Sequence, residues 1–249
     1  MIVNGGRAGG VDYNAKPRIT YDGKWSGWYL EVYNGTPYWE ALFSTSGHLV
    51  SLADYTCDAW GIGGGGAGGN YYNTHFPGPG PGGGSGYTNM AEGLTIAAGG
   101  HHVAIGAGGT SWKVHNVNTA DEYYTGDPGG ATVFMDLSCA GGNGGCTSSR
   151  TAGGEGGSNG GTRQEDGGAN GTPGAGKIMS KFWSVEHNTE YGAGGIHASD
   201  YYGGAEGGGG GYMNAGATND TTGRGYGGGG GGNGGKGRDG CLIIRIKAE

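Results

Sequence analysis

Charge is scarce in this chain: 14 % of its 249 residues are charged, scattered singly, and the net charge is -7. Without a basic stripe there is nothing to follow a nucleic-acid backbone, so nucleic acid is excluded as the expected partner. Long apolar runs are missing too. None approaches the ~18–20 residues that cross a bilayer, and Met1-Ile2-Val3-Asn4-Gly5-Gly6 lacks a basic and hydrophobic signal segment. Neither membrane insertion nor signal-peptide export is expected. Cysteine is sparse at four residues, too few for a disulfide scaffold of this length. Cys57 and Cys241 sit in strand-like stretches, as small buried hydrophobes do. Cys139 and Cys146 bracket Ala-Gly-Gly-Asn-Gly-Gly and are read either as a small disulfide loop or as free thiols; zinc would need a second ligand pair that the sequence does not place. Helical periodicity is absent as well.

What is abundant is glycine, 68 residues, against a usual share of about 7 %. Each ordered glycine gives up roughly 0.5–1 kcal/mol more backbone entropy than alanine. Disorder would be the cheaper state, yet 10 % of the chain is aromatic, with 16 Tyr, 6 Trp and 4 Phe. Many rings and few charges mean surface to bury, so order is expected.

Composition changes near Trp60: residues 1–60 hold 8 glycines and residues 61–249 hold 60. We therefore divide the chain into an aromatic-rich β module, 1–60, for attachment or oligomerisation, and a glycine-rich domain, 61–249. In the module, Ile19-Thr20-Tyr21, Trp28 to Tyr33 and Tyr38 to Phe43 are β-prone, and Asn34-Gly35 signals a hairpin turn. Leu49 to Trp60 continues it. In the second part the glycine runs have no fixed period, which excludes a collagen triple helix. Polyglycine-II-type helices are expected instead, three residues per turn at about 3.1 Å rise, bonded only to their neighbours. Lacking Cβ atoms, they can pack at backbone distance. A flexible linker is the competing reading. It does not need the apolar islands Leu94-Thr95-Ile96, Val103-Ala104-Ile105, Val133 to Leu137 and Leu242 to Ile246. The last should form a strand against Tyr55 to Trp60. The fold class expected is mostly β and irregular, with short strands beside a glycine bundle and almost no α-helix.

Tyr38-Trp39-Glu40, Ser46-Gly47, Tyr55 to Gly66, Val103 to Gly109 and Gly240 to Ile246, taken in succession, resemble the glycine-rich domain of bacteriophage and prophage tail-fibre proteins. The resemblance spans about residues 38–246; its specific parts are the strand entering the first glycine run and the apolar strand closing the chain. Glycine helices packed in layers are similar to those of adhesins capping T-even-type long tail fibres and to the glycine-rich domain of the anaplastic lymphoma kinase receptor family. The resemblance implies host recognition through variable loops, a homotrimer, other tail proteins as partners and a place on the virion, exposed extracellularly after synthesis in the host cytoplasm. Residues 1–37 depart from the pattern by carrying no long shaft. Attachment would then go through another protein or through the small module.

Three tyrosine pairs stand in the islands, Tyr71-Tyr72, Tyr123-Tyr124 and Tyr201-Tyr202, with polar company that includes His75 beside Phe76, Asp121 and Glu122, and His197 and Asp200. Tyrosine offers a rigid face and a hydroxyl at low entropy cost, which suits recognition of sugars and proteins. Tyr71, Tyr72, His75, Phe76, Tyr123, Tyr124, Tyr201 and Tyr202 are the candidate receptor-binding residues; the alternative is that one ring of each pair packs on the glycine layer. Trp112, Phe182 and Trp183 are read as buried.

Gly171 to Lys177 matches the first positions of a phosphate loop, but Ile178 replaces the magnesium-binding Ser/Thr. His101 and His102, adjacent on a strand, face opposite ways and lack a partner at ligand spacing, so no metal is assigned. No catalytic arrangement stands out, and neither an enzyme nor a cofactor is expected. The leading expectation is a tail-fibre tip that binds a bacterial surface glycan or protein. Alternatives are a self-assembling filament or coat subunit and, less favoured, an ice-binding protein.

Overall fold

Where glycine thins out, β-branched and aromatic residues alternate, and there the chain forms strands. The computed structural model describes residues 15–33, 35–72, 77–78, 82–110, 122–124, 126–145, 156, 226–230 and 235–249. Up to the first glycine run come β1 (Ile19–Tyr21), β2 (Tyr29–Tyr33), β3 (Thr36–Phe43), β4 (Gly47–Ser51) and β5 (Tyr55–Ile62). Later come β6 (Asn70–Tyr72), β7 (Pro77–Gly78), β8 (Thr88–Ile96), β9 (Gly99–Ala104), β10 (Glu122–Tyr124), β11 (Thr132–Phe134), β12 (Leu137–Cys139) and β13 (Cys241–Lys247). No helix occurs among the described residues, in keeping with the expected class.

Two five-stranded antiparallel sheets, ordered β1-β4-β9-β11-β12 and β2-β3-β13-β5-β8, contain strands from both the aromatic-rich and the glycine-rich parts. The expected hairpin joins β2 to β3, with Gly35 at φ 77° in its turn. The closing strand meets Tyr55 to Trp60 as expected, Ile243 standing opposite Trp60 and Ile246 opposite Cys57. It also pairs with β3, so β13 is the central strand of its sheet. Its unbroken run Cys241-Leu242-Ile243-Ile244 is fully buried on both faces, the pattern of an interior strand. The island Val133 to Leu137 differs from the single strand that its alternation suggests: Met135 adopts φ 51° and turns it into the β11–β12 hairpin.

The sheets face each other across one apolar core. Ile19, Leu49, Val103, Phe134 and Leu137 come from the first sheet; Ala41, Phe43, Ala59, Ile96, Leu242 and Ile244 come from the second. Each large aliphatic or aromatic side chain so buried contributes roughly 1.5–3 kcal/mol. Cys57, Cys139 and Cys241 are all buried. Burial pushes the Cys57 thiol up to about 12 and the Cys139 thiol up to about 11, which keeps both protonated and inert. Cys146 lies outside the described residues.

On the other face of the second sheet a polar row crosses four strands in register. The Tyr29 hydroxyl donates to Glu40 Oε1 at 2.7 Å; Arg245, between Glu40 and Asp58, donates from Nε and Nη2 to Asp58 Oδ2 at 3.1 and 3.0 Å. The guanidinium also lies 4.6 Å from the Tyr38 ring centroid. Glu40 is 2 % exposed, and burial, reinforced by the Glu31 charge, pushes its carboxyl up to about 7 against the opposing pull of Tyr29 and Arg245.

The glycine runs leave the sheets and bond to one another. Segment 63–69, which follows β5, is buried throughout. Its N–H groups donate in turn to Tyr87, Gly130 and Arg238, then to Gly84, Asp127 and Gly235. The neighbour changes with every residue and returns after three, and the partner number falls by three each time, so these three neighbours run antiparallel to it. Three further segments donate to its carbonyls: Gly109 to Gly65, Gly142 and Gly145 to Gly64 and Ala67, and Gly230 to Gly66. Segment 63–69 is thus bonded to six others: 82–87, 106–110, 126–130, 140–145, 226–230 and 235–240. The outer segments repeat the spacing, as Gly126 to Gly145 and Gly129 to Gly142, or Gly237 to Gly109 and Gly240 to Gly106. In the central run the N–H groups of residues 63–68 all find backbone acceptors on neighbouring runs without any sheet, which answers where its polar groups go.

Why glycine is required here is a matter of space. Among the described glycines only Gly27, Gly35, Gly93, Gly99 and Gly227 have positive φ, so nearly all of the bundle uses backbone angles open to any residue. A Cβ on Gly64 would lie 2.1 Å from the Ala107 carbonyl oxygen, and one on Gly65 2.0 Å from that of Gly228. At such distances the Cα–H groups point at neighbouring carbonyls. Side chains also bond into the lattice: buried Thr132 Oγ1 donates to the Ile62 carbonyl at 2.7 Å and accepts from Gly106 N–H at 2.9 Å, and Asp239 accepts from Gly108 N–H at 2.8 Å.

Candidate functional site

The bundle has two ends, and the chain distinguishes them. At one end Gly63 follows β5, Tyr87 precedes β8, Gly106 follows β9, Gly130 precedes β11, Ala140 follows β12 and Gly240 precedes β13. Six of the seven described glycine segments therefore begin or finish at the sheets with that end. The other end is where they open: 63–69, 106–110, 140–145 and 226–230 leave there, and 82–87, 126–130 and 235–240 enter there. Antiparallel bonding forces this arrangement, because each return run must start level with the finish of its neighbour.

At the open end lies the third sheet, the ladder β10-β6-β7. β6 continues directly from segment 63–69, and β10 leads into segment 126–130. Tyr71 stands opposite Tyr123, Tyr72 opposite Glu122 and Asn70 opposite Tyr124. Two of the three tyrosine pairs, distant in sequence, thus share one backbone ladder. β7 extends it, with Pro77 opposite Tyr72 and Gly78 opposite Tyr71. His75, Phe76, Tyr201 and Tyr202 lie outside the described residues, as do Trp112, Phe182, Trp183 and the 171–177 stretch.

Thr110 and Asp127, which the sequence did not single out, lie at the same end. Thr110 Oγ1 donates to Asp127 Oδ2 at 2.6 Å, and Asp127 N–H donates back to the Thr110 carbonyl at 3.2 Å. This reciprocal clasp ties the outgoing run 106–110 to the incoming run 126–130. The signal was only a Gly-Gly-Thr and a Gly-Asp-Pro at the ends of two runs. What the arrangement offers chemically is a fixed frame with hydroxyl, carboxylate and aromatic residue types at one end. Among the described residues no group of three or more His, Cys, Asp or Glu is placed to hold a metal, and no helix is long and apolar enough to cross a membrane.

Residues 45–247 match the family model of a glycine-rich domain. No curated protein matches the chain.

Proposed function

The chain thus belongs to the glycine-rich domain family, and from that premise we propose that it is a receptor-binding protein at the tip of a bacteriophage tail fibre, presenting loops on a rigid glycine lattice. The lattice is read as a bundle of polyglycine-II-type helices. Support for that comes from hydrogen-bond partners that recur every third residue, the period of such a helix, and from the rarity of positive φ among its glycines.

The observation that carries the function is the common open end. Every described glycine run delivers its connection there, and four of the proposed contact tyrosines lie on paired strands there. Loops fixed at one end of a lattice lose little entropy on binding. Tyrosine-rich islands then meet a bacterial surface glycan or protein, while the sheets at the opposite end face the rest of the fibre. Trimeric assembly and attachment through other tail proteins belong to the same proposal and rest on the tail-fibre resemblance.

The test is to replace Tyr71 and Tyr72, Tyr123 and Tyr124, or Tyr201 and Tyr202 with serine and to measure host-cell binding and melting temperature together. At least one double variant should lose binding while melting like the parent, since contact energy concentrates in a few aromatic anchors. Should every pair cost stability and none cost binding alone, the tyrosines are packing residues and the proposed surface is wrong.

A further inference from the structure

His101 and His102 alternate on β9 and so cannot share a ligand, but pairing with β4 gives His102 a different partner. His48 stands directly opposite His102 in the β4–β9 register. Both are exposed, whereas their neighbours Leu49 and Val103 are fully buried. The two imidazoles are therefore on the outer face of the first sheet, with ring centroids 5.5 Å apart and planes at 62°.

One of the rings has a carboxylate beside it, the two side chains being 69 % and 63 % exposed. Asp22, just beyond β1, accepts the His48 backbone N–H on Oδ1 at 2.6 Å, and its Oδ2 lies 3.3 Å from His48 Nδ1. The His48 backbone bond, then the side-chain bond and charge of the same residue, hold the Asp22 carboxyl below its usual range despite some desolvation. Gly47 makes room for it: a Cβ there would fall 2.4 Å from Asp22 Oδ1. With Nδ1–H directed to the carboxylate, Nε2 of His48 is left as the free lone pair. A carboxylate fixing the tautomer of a histidine whose other nitrogen binds metal is the usual outer-sphere arrangement.

The geometry points to a divalent transition-metal site formed by His48 and His102, with Asp22 orienting His48. Cross-strand Cβ atoms lie about 4.5–5.5 Å apart, and two imidazole nitrogens can close on one ion at about 2.0–2.1 Å. Nitrogen donors select copper, nickel and zinc over magnesium and calcium, with Cu2+ bound most tightly. Two protein ligands leave the remaining coordination positions to water. The ion would fasten β4 to β9. This site stands apart from the open end of the bundle and does not depend on the receptor-binding proposal.

The test uses the full chain without an affinity tag, titrated calorimetrically with Zn2+ and with Cu2+ at neutral pH. Because His75, His115, His187 and His197 can also bind metal, the readout is the difference between variants. H48Q and H102Q, both at exposed positions, should each remove one saturable ion per chain, and H101Q should remove none. D22N should weaken that ion by roughly tenfold, as loss of an outer-sphere partner does. Zn2+ should raise the melting temperature of the parent more than that of H48Q, since a ligand of the native state stabilises it. Isotherms for H48Q and H102Q that superimpose on the parent would overturn the site, leaving a ring contact only; an H101Q loss equal to that of H102Q would overturn it equally. Unchanged binding in D22N would overturn the role given to Asp22.

Discussion

Gly65 lies in the middle of the segment that bonds to six others, and adding one methyl group there tests the lattice most directly. The alanine Cβ would sit 2.0 Å from the Gly228 carbonyl oxygen and 2.5 Å from its carbonyl carbon, both backbone atoms that cannot rotate away. Ordinary contact begins at 3.4 Å, so the neighbouring run must retreat by more than an ångström. That retreat strains the bonds that hold the 226–230 run, Gly230 N–H to the Gly66 carbonyl and Arg238 N–H to the Gly228 carbonyl, both now at 2.8 Å. Overpacking of this kind costs about 1–3 kcal/mol, and a backbone hydrogen bond lost with it adds about 1 kcal/mol. Gly65→Ala should therefore destabilise by about 2–4 kcal/mol, a large share of the roughly 5–15 kcal/mol that holds a domain together. The control is Gly100→Ala in β9, where a Cβ meets nothing within 4 Å and φ is not positive. It should match or slightly exceed the parent, as relief of unfolded-state entropy predicts. Urea unfolding of parent and both variants measures the difference. Equal midpoints for Gly65→Ala and Gly100→Ala would refute the claim that these glycines are selected for space, and would leave the runs as linkers.

Gly230→Val, whose Cβ would meet the Gly235 carbonyl oxygen at 2.0 Å, should lose at least about 1–3 kcal/mol in the same assay; the equivalent change at Gly209 lies outside the described residues. Deleting 241–249 removes the central strand of the second sheet with fully buried Leu242, Ile243 and Ile244, so no soluble folded protein should form; unchanged thermal unfolding would show the strand to be dispensable. Thr132→Val keeps the volume but takes the acceptor from Gly106 N–H, and calorimetric melting should register about 1–3 kcal/mol. Glu40, raised to about 7 from 4.5, binds its proton more tightly folded than unfolded, so its contribution is complete below about pH 4.5 and is lost as pH rises through 7. Glu40→Gln should flatten the pH dependence of stability across that window, removing a total change of about 3 kcal/mol, and urea midpoints at several pH values will read it; an unchanged profile would mean that Glu40 stays charged in the fold.

Strand positions were legible because they depend on local chemistry. Ile19 to Tyr21, the hairpin at Gly35 and the apolar run Leu242 to Ile246 each carry their own alternation or turn signal, and each became the expected element. The glycine content also fixed in advance that any ordered packing must happen at backbone distance, since nothing else could fill the space. Which run bonds to which was not legible, because glycines are identical in sequence and a three-residue period of hydrogen bonds leaves no pattern in a chain without side chains. That choice fell to the tertiary structure: only when the sheets fix where Gly63, Gly106, Gly130, Ala140 and Gly240 begin or end does the antiparallel order follow. The same holds for the pairing of Tyr71 with Tyr123 and of His48 with His102, each a register between distant strands. Sequence alone placed the tyrosine pairs in islands between glycine runs and His101 and His102 on a strand; hydrogen bonding across the fold decided which residues would meet.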